Sequence, residues 1–155
     1  GLGSHGEDSI EWMRAIVIPH VMVCNRSTDS KQRMLSLKMT EMILMNGMSP
    51  AKYDVGVKSP QRELVELSLS LVSDKVANVR LNVGRSFCTI MGMLEEDDVK
   101  LAMTMLQDQL YVEIKKENGG DRDVIFFAKR AIQRAEEVLS FSFRDASTCN
   151  SLEES

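Results

Sequence analysis

Apolar residues recur at helical spacing along most of the 155-residue chain. The clearest stripe advances in steps of three and four and comprises Val79, Val83, Phe87, Ile90 and Leu94. Such steps place side chains on one face of an α-helix. The same periodicity runs through six segments of the sequence. It predicts an all-α chain with helices over residues 7–24, 31–46, 59–72, 79–94, 99–116 and 123–139.

Two details qualify the first two predicted helices. Pro19 lies inside the first, where a proline costs about 3 kcal/mol and kinks the helix. The neighbouring His20 is interpreted as a half-buried helical residue, because no Asp or Cys stands beside it as a catalytic partner. In the second helix, the predicted inward face consists of Leu35, Met39, Met42 and Ile43.

The third and fourth helices are separated by a short polar turn. Ser73 and Asp74 end one helix and offer side-chain oxygens that can cap the next. The pair is therefore expected to form an antiparallel hairpin. Arg33, Arg80 and Ile125 are interpreted as equivalent positions, separated by 47 and 45 residues. This period is that of HEAT or armadillo repeats and predicts an α-α superhelix of about three hairpins.

The composition agrees with a soluble helical domain. Hydrophobic residues make up 43% of the chain and charged residues 27%, and the 11 Met residues suit irregular gaps between helices. No apolar run approaches the roughly 18 residues of a membrane span, and no signal peptide is evident. The net charge of −4 and the absence of a basic block argue against a nucleic-acid partner.

The sequence contains no pattern expected of an enzyme, a metal site or a cofactor site. There is no nucleophile–base constellation, no glycine-rich phosphate loop and no cluster of metal ligands. Cys24, Cys88 and Cys149 are far apart and odd in number, which argues for a reducing compartment and against zinc. We therefore expect a non-catalytic protein of the cytoplasm.

The domain organisation follows from these segments. Residues 1–6 are interpreted as a linker or a cloning remnant, and residues 7–144 as a repeat-containing fragment. The repeats are expected at about 7–47, 59–94 and 97–140, with a connector over residues 48–58. Residues 145–155 are polar and are expected to be a disordered tail.

The run Val-Ala-Asn-Val-Arg-Leu-Asn-Val-Gly-Arg-Ser at residues 76–86 is far more specific than the period. It resembles the next-to-last HEAT repeat of the scaffolding A subunit of protein phosphatase 2A. Further matches in the same order extend the resemblance over nearly the whole chain, at residues 11–12, 18–21, 33–34, 121–124, 127–128 and 131–132. The chain is thus similar to the HEAT-repeat scaffold and regulatory subunits of the 2A-type and 4-type Ser/Thr phosphatases.

The resemblance implies a binding surface. In that family the turns within the repeats form a ridge that holds the phosphatase catalytic subunit. Carried over by position, the partner-binding residues here are Arg33, Lys75, Val76, Ala77, Asn78 and Arg122. Asp74 and Arg80 are expected to cap and link neighbouring repeats as a structural ladder, whereas Ile125 would leave the last link without a cation.

Two of these assignments can be weighed by chemistry. Val76 and Ala77 are an apolar pair in a turn expected to be exposed, which suggests contact with a partner. Arg33 suits the ladder and the ridge about equally. A second function stays open, since HEAT repeats also build adaptors for transport or trafficking partners, and the fold alone cannot separate the two.

Overall fold

A computed structural model describes the backbone of residues 11–46 and 58–153, and side chains as far as residue 144. Every element in these ranges is helical, so the all-α prediction is confirmed for the described part of the chain. A π-helical turn, Met13–Val17, leads into the first helix, and a 3-10 turn, Met91–Met93, follows the fourth. The α-helices are α1 Ile18–Asn25, α2 Ser30–Met45, α3 Pro60–Leu69, α4 Ala77–Ile90, α5 Glu96–Ile114 and α6 Arg122–Glu153.

The helices contact one another in two rows. The odd-numbered helices touch in the order α1, α3, α5, and the even-numbered helices in the order α2, α4, α6. The rows are joined most closely where α1 packs on α2 and where α5 packs on α6. A single apolar cluster runs between them and includes residues from all six helices.

The stripe on α4 forms the centre of this cluster. Val79, Val83, Phe87 and Ile90 are fully enclosed, and Leu94 beyond the helix is also buried. Beside them, Gly84 lets α4 approach α6 closely, because a Cβ atom there would lie 2.9 Å from the Phe127 carbonyl carbon. The core of the central repeat is therefore the one that the periodicity predicted.

The predicted inward face of α2 is half right. Met39 and Ile43 are half-buried and pack against the core, but Leu35 and Met42 are largely exposed. The six buried positions of α2 also have helical spacing, but four of them are polar. The six are Arg33, Ser36, Leu37, Thr40, Glu41 and Leu44. Apolarity misidentified the face because the side of α2 that meets its neighbours carries an internal ion pair.

The proline in the first helix is accommodated by a change of helix type. The Ile18 N–H donates to the Met13 carbonyl, a bond that spans five residues instead of four. Pro19 has no N–H to donate, and its ring would clash with the carbonyl four residues earlier. A π-helical turn just before the proline relieves both problems.

The ends of the helices follow local capping rules. The Ser59 hydroxyl accepts from the Arg62 N–H, and Pro60 occupies the first helical position, as expected. Acidic side chains fill the first turn of α5, where they face the positive end of the helix dipole. Residues 1–10, which hold the predicted linker and the start of the first helix, lie outside the described residues, as does connector segment 47–57.

The tail departs from the sequence expectation. α6 continues to Glu153, whereas disorder was expected from residue 145. No Gly or Pro occurs after residue 120, so nothing in the local sequence ends the helix. Residues 154 and 155 lie outside the described residues.

Candidate functional site

One turn joins the two helices of each pair, and the three turns lie at residues 26–29, 70–76 and 115–121. Together with the first two residues of the helix that follows each turn, we call them the turn ridge. Each turn holds a side-chain oxygen that accepts from the N–H two residues later. The acceptors are Ser27 Oγ at 3.1 Å, Asp74 Oδ1 at 2.9 Å and Asp121 Oδ1 at 2.9 Å. These acceptors are spaced by 47 residues twice, so the three turns repeat one local structure.

This spacing corrects the alignment of the third repeat. Arg33 and Arg80 each stand six residues after the acceptor of their own turn, and each donates to its carbonyl oxygen. Six residues after Asp121 stands Phe127, so Phe127, not Ile125, occupies the equivalent position. The third turn therefore lacks the arginine of the other two.

Arg33 links the first turn to the second. Its Nε atom lies 2.7 Å from Asp74 Oδ2 and its Nη2 atom 3.0 Å from Asp74 Oδ1, in a bidentate pair. Its Nη1 atom donates to the carbonyls of Ser27 and Thr28. Only 7% of Arg33 is exposed. The expected partner-binding role of Arg33 is therefore corrected, since its guanidinium is enclosed in the ladder.

The environment of Asp74 keeps its carboxylate ionised. Burial by itself would raise the pKa of Asp74. The Arg33 guanidinium and the Val76 N–H together outweigh that effect, so the pKa lies below its ordinary value. Asp74 thus fixes its own turn and accepts the link from the preceding one.

Glu113 at the end of α5 makes the second link. Its carboxylate accepts from Arg80 Nε at 3.2 Å and Nη2 at 3.3 Å, from Lys116 Nζ at 2.9 Å and from the Asp121 N–H at 2.9 Å. Only 2% of Glu113 is exposed. Burial by itself would raise the pKa of Glu113. The Asp121 N–H, Lys116 and Arg80 together lower that pKa by more, so it lies below its ordinary value.

Glu113 and Gln109, one helical turn before it, were not predicted as site residues from the sequence. Both lie on the inward side of α5, and Gln109 Nε2 donates to the Val72 carbonyl at 2.8 Å. A signal was present, because the two residues continue the helical spacing of Ala102 and Leu106. Polar residues in line with an apolar stripe indicate a buried polar network.

The remaining predicted residues of the ridge differ in exposure. Lys75, Asn78 and Arg122 are exposed. Val76 and Ala77 are half-buried, and Val76 packs against the core at the start of α4. The expectation of an exposed apolar pair is therefore corrected, because core packing accounts for Val76.

Two adjoining grooves lie between the second and third turns. One has a volume of about 460 Å³ and apolar walls formed by Val72, Met105 and Val112. The other has a volume of about 650 Å³ and is more polar, with Ala77 and Arg122 among its lining residues. The Arg80–Glu113 pair lines both grooves. An apolar surface rimmed by charge suits contact with another protein.

The described side chains include no cluster of metal ligands, since no three His, Cys, Asp or Glu residues among them are grouped so that they could hold a metal ion. The helices of the described ranges include none with the length and apolarity to cross a membrane.

The chain matches no protein-family model and no curated protein. Its function is therefore inferred from the residues of the turn ridge and from their geometry.

Proposed function

We propose that this chain is a non-catalytic HEAT-repeat scaffold or regulatory subunit that binds a Ser/Thr phosphatase catalytic subunit through its turn ridge. The catalytic subunit would be of the protein phosphatase 4 or 2A type, and the proposed relative is regulatory subunit 4 of protein phosphatase 4. The chain would act in the cytoplasm as a fragment of a longer solenoid. The main support is the ladder of buried ion pairs, which ties successive turns together.

The contacts between helices support a solenoid. Contacts run from α1 to α3 to α5 in one row and from α2 to α4 to α6 in the other. Repeat proteins stack in this manner because each helix pair contacts only its neighbours and cannot bury its apolar face alone. A superhelix built in this way would bring successive turns to the same edge.

The surface of the ridge supports protein binding. Lys75 and Lys116 stand at the rim of the apolar groove, and Val112 in its wall is 60% exposed. Interfaces commonly place an apolar centre inside a polar rim that excludes water. The ladder holds this surface in place before the partner arrives, so less ordering is needed on binding.

The proposal is tested by biolayer interferometry with purified catalytic subunits of the 2A and 4 types. Lys75→Glu and Arg122→Glu each place a new carboxylate on the exposed ridge, and Val112→Glu places one in the wall of the adjoining apolar groove. In the free protein the charge stays hydrated, but in a complex it would be desolvated or would face like charge. We expect each variant to weaken capture about tenfold or more, which corresponds to about 1.4 kcal/mol.

Lys100→Glu is the matched control. Lys100 is exposed in the first turns of α5, at the end of that helix away from the ridge. The Lys100→Glu variant should bind the catalytic subunit as the parent chain does. Circular dichroism should show that all four variants keep the parental helix content. If the parent captures neither catalytic subunit, or if the ridge variants bind like the parent, the proposal is wrong and the transport or trafficking adaptor becomes the better hypothesis.

A further inference from the structure

A third groove lies between α4 and α6, and we call it the α4–α6 groove. It has a volume of about 590 Å³ and shares no lining residue with the grooves of the turn ridge. Its cationic side chains are Lys129, Arg130 and Arg134, against one carboxylate, Glu137. The groove is thus positively charged in a chain whose net charge is −4.

Aromatic rings hold two arginines beside this groove. The Arg130 guanidinium carbon lies 5.8 Å from the centre of the Phe126 ring, and the Arg85 carbon lies 5.8 Å from that of Phe127. The two rings meet edge to face at 5.1 Å. An arginine stacked on a ring keeps the N–H groups at its edge available to an anion.

The cations of the groove are little neutralised by the protein itself. Within the described residues, Lys129 and Arg130 form no ion pair with a carboxylate. Arg134 lies 3.3 Å from Glu137, and both side chains are nearly half exposed. An exposed pair of this kind contributes little and exchanges readily. Positive charge is therefore available for an outside partner.

We propose that the α4–α6 groove binds an extended acidic segment of another protein. Its carboxylates would pair with Arg85, Lys129 and Arg130, and an apolar side chain between them would rest on Phe126, which is 52% exposed. Charge complementarity carries this assignment. It is independent of the function proposed for the turn ridge, because it concerns different residues.

A peptide fits the groove better than a nucleic acid does. The volume is that of a site for a few side chains. A nucleic acid carries a dense line of phosphates and needs a long basic surface, whereas the cations of this groove lie within the short segment of residues 129–134.

The test measures the fluorescence anisotropy of a labelled peptide of alternating Glu and Leu, with the whole chain as the receptor. A peptide with Gln in place of every Glu should bind about tenfold more weakly or worse. Raising the salt concentration should weaken binding of the acidic peptide, since exposed charges are screened. Amide shifts in two-dimensional NMR of the parent protein should change at residues 85–92 and 126–137.

Charge reversal provides the matched comparison. Arg130→Glu combined with Lys129→Glu should lower the affinity about tenfold, whereas Lys100→Glu combined with Lys115→Glu, on α5 and its C-terminal end, should leave it within about twofold. Equal binding of the Glu and Gln peptides, shifts outside the groove, or an equal loss in both double variants would overturn the proposal. So would tighter binding of a single-stranded oligonucleotide than of the acidic peptide, with the same dependence on Lys129 and Arg130.

Discussion

Two buried carboxylates, Asp74 and Glu113, hold the turn ridge together from within. Each accepts from an arginine of the preceding repeat and from a backbone N–H of a turn. A buried ion pair gains little over apolar packing unless its remaining hydrogen-bonding groups are satisfied. Here the backbone donors supply those bonds, so each carboxylate fixes a turn and a junction at once.

The lowered pKa of Asp74 gives a stability that depends on pH. A carboxyl whose pKa is lower in the folded state stabilises the fold above its unfolded value of about 3.9 and loses that contribution as the pH falls through the folded value. Asp74→Asn should therefore lower the Tm at neutral pH by at least about 3 °C. The difference from the parent should shrink in melts recorded below about pH 4.

Asp108→Asn is the control for this measurement. Asp108 is exposed, and within the described residues it forms no hydrogen bond or ion pair. Its replacement should leave the Tm close to that of the parent at every pH. A pH-independent difference for Asp74→Asn would show that the carboxylate charge is not what stabilises the turn.

Gly84 tests the close approach of α4 and α6. A Cβ atom there would lie 2.9 Å from the Phe127 carbonyl carbon and 3.0 Å from the Ala128 nitrogen, both backbone atoms. Gly84→Ala should cost about 1–3 kcal/mol of unfolding free energy, although alanine is the better helix former by about 1 kcal/mol. In Gly92→Ala the new atom would meet only the Arg134 guanidinium, which can move, so urea unfolding should show a much smaller loss.

At the scale of the element, α4 is the central helix of its row, and both α2 and α6 pack on it. Phe87 is fully enclosed in the middle of its apolar stripe. Phe87→Ala should cost about 3–5 kcal/mol, because it removes the ring and leaves a cavity that the two rows of helices cannot fill completely. Thr89→Ala, at an exposed position on the same helix, should cost far less in the same denaturant titration. Parental stability of Phe87→Ala would mean that the stripe does not form the core.

The helices differ in how well the sequence predicts them. For α4 and α6 the apolar spacing identifies the buried faces, since nearly all buried positions there are apolar. For α2 it does so only in part, because Arg33 and Glu41 are buried while Met42 is exposed. Periodicity reports the inward face only where the neighbouring helix presents apolar groups.

The candidate site shows the same limit. The Asp74 turn and Arg80 could be placed from sequence, because local spacing determines a cap and the first turn of a helix. Glu113 lies 33 residues from Arg80. Only the tertiary fold, in which α4 and α5 both pack on α6, brings the two side chains together. The exact repeat period of 47 residues is seen only when the side-chain acceptors Ser27, Asp74 and Asp121 in the three turns are compared, since Phe127 does not resemble an arginine.

At the scale of the molecule, the ladder couples neighbouring helix pairs. Glu113→Ala removes the acceptor for Arg80, Lys116 and the Asp121 N–H together. It should cost about 3–5 kcal/mol, because the donors remain partly buried without a partner. Amide exchange should become faster at residues 115–121 and change little at residues 26–29, whose link through Arg33 is intact. An equal increase in the exchange rate at all three turns would argue against a local coupling role for Glu113.

The central claim is that the turn ridge binds a phosphatase catalytic subunit, and hydrogen–deuterium exchange of the complex tests it most directly. On addition of a 2A-type or 4-type catalytic subunit, we expect slower exchange at residues 73–78 and 116–123, where the exposed Lys75 and Arg122 lie. The α4–α6 groove, residues 126–137, should exchange as in the free chain. Unchanged exchange along the ridge at saturating catalytic subunit would contradict the account.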